Sequence, residues 1–136
     1  MNQPRKTKFK KYHKGRLGSA LCGLKSKGLE LGCYSLQAKE GGYVKVRQLE
    51  AARQTISRHL QRRGKIWIKI FPDWAITSKP TESRIGKGKG KVAHWVCRVR
   101  PGKIILEVSG VSWSQVSKAL NSASHKLPIA LYLRQN

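Results

Sequence analysis

The chain has 136 residues, enough for one domain with a modest core. Its 29 lysines and arginines against 6 acidic residues leave a formal charge of +23, which argues against a free-standing globule and for a polyanionic partner, nucleic acid before an anionic membrane surface. No run of about eighteen apolar residues is present to cross a bilayer, and the N-terminus lacks the apolar stretch of a secretory signal.

Residues 1–17 read as a basic arm, with Phe9 and Tyr12 set among Arg5, Lys6, Lys8, Lys10, Lys11, Lys14 and Arg16. Such a segment cannot bury enough apolar surface to fold alone. Rings that stack on bases, beside cations that meet phosphates, suit folded RNA. Residues 18–136 read as one α+β domain. Its glycine-rich start holds a predicted strand near Leu29–Gln37. A predicted helix spans 45–62, where Val46, Leu49, Ala52, Ile56 and Leu60 recur three or four apart on one apolar stripe. Arg47, Arg58 and Arg62 fall mostly away from the stripe, Arg53 near its edge, and Arg63 just beyond the helix. This pattern fits a helix lying between a core and a phosphate surface; a plainly solvated face is the alternative. Lys45 is a poor N-cap, and Gly64 is placed to end the helix.

Lys65–Phe71 alternates lysine with apolar residues and predicts a mostly buried strand, with Trp67 beside the first helix. After a turn at Pro72-Asp73, a short strand is predicted at Ala75–Ser78. Val92–Arg100 and Lys103–Val108 are predicted as an antiparallel pair joined at Pro101-Gly102. Ser112 and Gln115 form a capping-box pattern, and Val111 and Val116 a hydrophobic staple. Trp113, Val116, Leu120, Ala123 and Leu127 are the expected buried stripe of a second helix. Pro128 stops it, and a last strand is predicted at Ile129–Leu133. The expected architecture is two amphipathic helices packed on a mixed, mostly antiparallel sheet.

Between two predicted strands lies 79–91, KPTESRIGKGKGK, the most informative stretch of the chain. Apart from Ile85 it has no large apolar residue, so it is expected to protrude. Gly86, Gly88 and Gly90 permit positive φ and close backbone approach, while Lys87, Lys89 and Lys91 supply charge. The ligand this chemistry suits is phosphate, and strands at both ends would hold the loop as a functional loop is held.

Catalysis finds no support in the pattern. The loop lacks the GxxxxGK-Ser/Thr of NTPases, and the dinucleotide fingerprint fails because the sixth position from Gly86 is Lys91. The acids Glu30, Glu40, Glu50, Asp73, Glu82 and Glu107 are scattered, and Glu50 on an arginine-rich helix reads as an ion-pair partner. Cys22, Cys33 and Cys97 form no CxxC, and the four histidines no metal-ligand spacing. They read as unpaired thiols in a reducing compartment; no metal and no cofactor is expected.

Several segments carry a family resemblance. Arg62–Phe71, RRGKIWIKIF, and RIGKGKG with Trp95 beyond four intervening residues resemble two signatures of large-subunit ribosomal protein sixteen, bacterial and organellar type. RQLEAAR (Arg47–Arg53) resembles that family's first helix, PRKTKFKKYHKGR (Pro4–Arg16) its N-terminal arm and HKLPI (His125–Ile129) its C-terminal segment. The departures are Ile85 where methionine is usual, Lys45 for a capping Thr or Ser, and Trp74-Ala75 where Lys-Pro is common. The resemblance implies a structural constituent of the large ribosomal subunit, not an enzyme. It would bind large-subunit rRNA near the peptidyl transferase centre and lie among neighbouring ribosomal proteins. The same resemblance puts Arg84, Gly86, Lys87, Gly88, Lys89 and Gly90 near tRNA at the aminoacyl site, and Arg5, Lys6, Lys8, Lys10, Lys11, Lys14, Arg16, Arg47, Arg53, Arg58, Arg62 and Arg63 against rRNA. A start that matches the family arm suggests no long transit peptide. The drift in sequence after Ser112 and the three cysteines lean toward an organelle matrix, mitochondrion or plastid, over bacterial cytoplasm. A DNA-compacting architectural protein is the alternative; it would need a two-fold design or an intercalating wedge, and neither is evident. Sedimentation of a lysate on sucrose separates the two, since one protein would follow the large subunit and the other the DNA.

Overall fold

The computed structural model describes residues 3–13, 15 and 28–135. Lys14, Arg16 and Cys22 lie outside the described residues. The elements run β1 (Tyr34–Ala38), β2 (Gly42–Lys45), α1 (Val46–His59), β3 (Lys65–Ile68), β4 (Trp74–Ser78), β5 (Lys91–Val99), β6 (Ile104–Ser109), α2 (Trp113–Ser124) and β7 (Leu131–Gln135). The α+β class is as expected. The strands, however, form two sheets: a four-stranded one in the order β3-β6-β1-β7 and a three-stranded one in the order β2-β5-β4. Their pairings are antiparallel.

The expected pairing of β5 with β6 is therefore wrong, and the backbone explains it. Gly102 turns at φ 81°, and the Lys103 N–H donates to the Arg100 carbonyl at 3.1 Å. The turn is captured by β1: Gly102 N–H donates to Ala38 O at 2.7 Å, and Ala38 N–H to Lys103 O at 2.9 Å. The chain leaving the turn is thus held beside β1 and does not fold back on β5. The strand β2 had no sequence prediction; its four residues, GYVK, are too short to show a period.

One core joins the layers. Leu49, Ala52 and Ile56 of α1 and Val116, Ala119, Leu120 and Ala123 of α2 pack with Leu36, Val44, Val99, Leu106 and Val108 from the sheets. Of the predicted α1 stripe, Leu49, Ala52 and Ile56 are buried, Leu60 is buried just past the last helical residue, and Val46 is only half-buried. Alanines at 52, 119 and 123, all at 0% exposure, let the two helices approach closely. Trp113 departs from its predicted stripe: it is 38% exposed and its ring lies 5.2 Å from that of Tyr34. Leu127, beyond the end of α2, is buried as expected.

Trp67 also departs. Ile66 and Ile68 pack against the core, so the alternation of the strand turns Trp67 to the opposite face. There it is half-buried and in register with Glu107 of β6. The buried register of KIWIKIF is one residue away from the one that put Trp67 beside the first helix.

The helix ends behave differently from their sequence signals. Ser112 has N-cap backbone angles but no cap hydrogen bond from its side chain; its hydroxyl lies 3.4 Å from that of Ser114. Lys45 has no side-chain acceptor to offer α1, and Gln48 compensates by accepting the Lys45 N–H on Oε1 at 2.9 Å. After Leu60 the chain turns left-handed at Gln61 (φ 50°), Arg62 (φ 62°) and Gly64 (φ 78°). Only glycine fits at 64, because a Cβ there would lie 2.5 Å from the Ser109 carbonyl oxygen.

Candidate nucleic-acid interface

In the loop between β4 and β5, residues 79–89 are exposed, and Ile85 is 103% exposed. Its glycines serve two purposes. Gly86 (φ 92°) and Gly88 (φ 76°) flank Lys87 (φ 52°) in a run of left-handed backbone with open space around both glycines. Gly90 instead allows the two limbs of the loop to touch, since a Cβ there would lie 2.3 Å from Ser78 O. The close approach expected of it is to the protein's own backbone. Lys79 Nζ donates to Gly86 O at 2.7 Å and braces the turn. The loop surrounds an open cavity of about 750 Å³ lined by Lys79, Arg84, Lys87, Lys89 and Lys91, with Glu82 the acid on its wall.

Arg5, Lys6, Lys8, Lys10 and Lys11 of the arm are exposed. The arm is not remote from the loop. Lys11 Nζ donates to Lys89 O at 2.8 Å, and Lys89 Nζ donates in return to the Tyr12 carbonyl. The Tyr12 ring stacks on Trp74 of β4, with centroids 4.7 Å apart, and the Arg98 guanidinium of β5 lies 3.8 Å from the Trp74 centroid. Sequence reasoning missed Trp74 and Arg98 because their contacts are not local: Trp74 lies 62 residues from Tyr12, and Arg98 lies 24 residues from Trp74. The available signal was an aromatic residue on a short strand ahead of a basic loop.

On α1, Arg47 and Arg58 are exposed, as are Arg62 and Arg63 beyond its end. Arg53 is half-buried and spent within the helix: its Nη2 and Nε reach the Glu50 carboxylate at 2.6 and 3.0 Å. That hydrogen-bonded pairing raises the Arg53 pKa and lowers that of Glu50. Glu50 is thus the ion-pair partner the sequence suggested. A second groove of about 750 Å³, not anticipated from the sequence, runs from the start of α1 to β5 and is lined by Lys45, Arg47, Glu50, His94 and Trp95 among others. Burial, then the charges of Lys45 and Arg47, depress the His94 pKa and favour the neutral imidazole.

The acids are largely engaged with the protein itself. Glu107, at 0% exposure, accepts the N–H groups of Leu31 at 2.9 Å and Gly32 at 3.1 Å. Glu30 pairs with Lys69 at 2.5 Å, and Glu40 accepts the Ala130 N–H at 2.8 Å. Among the described residues no group of three potential metal ligands converges. Cys33 and Cys97 are free thiols, and burial pushes the Cys97 thiol up to about 12.

The family described as "Ribosomal protein L16p/L10e" matches residues 4–133. A protein of Paracoccus denitrificans named "Large ribosomal subunit protein uL16" is 49% identical over 130 residues, 95% of this chain and 93% of the relative. Proteins of the same name from Cereibacter sphaeroides and Parvibaculum lavamentivorans are 48% and 47% identical, over 95% of this chain and 93% and 91% of theirs. These relatives are bacterial, and the lean toward an organelle finds no support in them. With a family match that runs over residues 4–133 and a relative 49% identical over 95% of its length, this chain belongs to the ribosomal protein L16p/L10e family.

Proposed function

We propose that the protein is a structural constituent of the large ribosomal subunit, bound to large-subunit rRNA through its arm and the arginine face of α1, with the 79–91 loop directed at tRNA in the aminoacyl site. The observation that carries this reading is the distribution of charge. Glu30, Glu40, Glu50 and Glu107 are engaged with internal donors, while Arg5, Lys6, Lys8, Lys10, Arg47, Arg58, Arg62, Arg63, Arg84 and Lys87 are exposed. Cations presented in this way match a phosphate backbone. Placement near the peptidyl transferase centre, and the tRNA contact, follow from the family resemblance. A bacterial-type sequence fits a bacterial ribosome and an organellar ribosome of bacterial descent alike; sequencing the rRNA that co-purifies with the protein decides between them.

The test separates two sets of charges and leaves Lys11 and Lys89, which tie arm to loop, untouched. Arg84→Ala with Lys87→Ala should leave incorporation into the subunit nearly intact and weaken tRNA binding at the aminoacyl site. Each lost contact costs about 1.5–3 kcal/mol at most, less where water screens it. Neutralising Arg5, Lys6, Lys8 and Lys10 should impair incorporation first. Subunit occupancy by mass spectrometry and tRNA affinity on purified ribosomes are the paired readouts. Loss of the loop variant from subunits, with retention of the arm variant, would reverse the assignment.

A further inference from the structure

We propose that the arm and the glycine loop are one mechanical unit, locked to the three-stranded sheet by the Tyr12–Trp74–Arg98 stack, so that Trp74 positions the loop through the arm. Trp74 stands directly across from Val96, with Arg98 two residues further along β5. Alternation puts all three on the sheet face opposite Cys97 and Val99, which belong to the core. Trp74 is therefore not a core residue, although its indole Nε1 is buried and has no hydrogen-bond partner among the described residues. The Tyr12 ring, at 4.7 Å, and the Arg98 guanidinium, at 3.8 Å, both lie against the indole, contacts favoured by ring stacking and by the cation over the π face.

Next to this column the arm and loop exchange lysines: Lys11 Nζ to Lys89 O, and Lys89 Nζ to Tyr12 O. Each bond is exposed and weak alone. Together they matter only if the arm is already seated, and the aromatic stack is what seats it. Releasing Tyr12 should then release two segments, 10–13 and 87–90, though only the first contains the altered residue.

The mechanical claim is tested in the free protein by backbone ¹⁵N relaxation. In the native chain, amides of 10–13 and of Lys89 and Gly90 should have order parameters near those of the β5 strand. In Tyr12→Ala and Trp74→Ala both segments should fall below about 0.6 while β5 amides hold near 0.85. Trp74→Phe, which keeps a ring for both neighbours, should restore them. Should Trp74→Ala fail to fold, Tyr12→Ala, which lies outside both sheets, carries the test. A loop unchanged when the arm is freed would overturn the proposal.

The consequence for RNA rests on the function proposed above and has its own readout. Tyr12→Ala removes no charge, so the slope of log affinity for an rRNA fragment against log salt should stay that of the native chain. Affinity itself should fall by about tenfold, because the freed segments must be ordered on binding. An unchanged affinity would deny the stack any positioning role. A native protein with no salt slope would instead sink the rRNA reading and leave the relaxation result standing.

Discussion

Glu107 places its carboxyl group in a site with 0% exposure, where polar atoms left without partners would be costly. Its Oε2 accepts the N–H groups of Leu31 and Gly32 and its Oε1 that of Glu30 at 3.4 Å, so the residue fastens the segment ahead of β1 to β6. Glu107→Ala leaves those donors without a partner and should destabilise the fold by about 3 kcal/mol, read from urea unfolding. Glu107→Gln keeps an acceptor and should cost less. Equal losses for the two variants would mean that shape, and not hydrogen bonding, holds the site. In sequence this residue was one of six scattered acids, since nothing local reveals a partner 75 residues away. Trp67 teaches the same lesson. Its half-buried place beside Glu107 makes Trp67→Ala worth about 2 kcal/mol, below the range of a fully buried tryptophan.

At the scale of elements, the start of α1 and the middle of β5 make a groove whose titration can be followed. Lys45, Arg47 and Glu50 line it with His94, and burial with the two cations depresses the His94 pKa. The folded state therefore resists protonation more than the unfolded chain does. The stability this contributes is full above the usual imidazole range near 6.5 and is lost as pH falls through it toward the depressed folded value. An NMR titration should place the His94 midpoint below that of a free histidine. If rRNA phosphate enters the groove, bound RNA should raise that midpoint, whereas an unmoved midpoint would place the RNA elsewhere. The helices make a second element-scale case. Ala119 lies at 0% exposure where α2 meets the core, and Ala119→Leu should cost about 1–3 kcal/mol by overpacking.

For the molecule as a whole, +23 on 136 residues sets the conditions under which it is stable. Self-repulsion opposes the compact state of the free protein, so its melting temperature should rise as salt is added from low ionic strength to about 0.15 M. RNA binding should run the other way. Neutralising about five phosphates gives a log–log slope of roughly −3 to −5. Affinity that barely changes over that range would contradict the electrostatic reading.

By itself the sequence determined the class, both helices, the glycine-lysine loop between two strands and the basic character of the chain. These rest on short-range properties: the spacing of Leu49, Ala52 and Ile56, the alternation of Gly86, Lys87, Gly88 and Lys89, and the imbalance of charge. The family signatures were legible for the same reason, as contiguous strings. Only the tertiary structure decided which strands share a sheet, which face Trp67 takes and which cations are free. β5 and β6 part because β1 captures the turn between them. Lys89 is drawn to the arm by a carbonyl 77 residues away. Each outcome is a competition for hydrogen bonds or ring faces between segments distant in the chain, and no local pattern records who wins it.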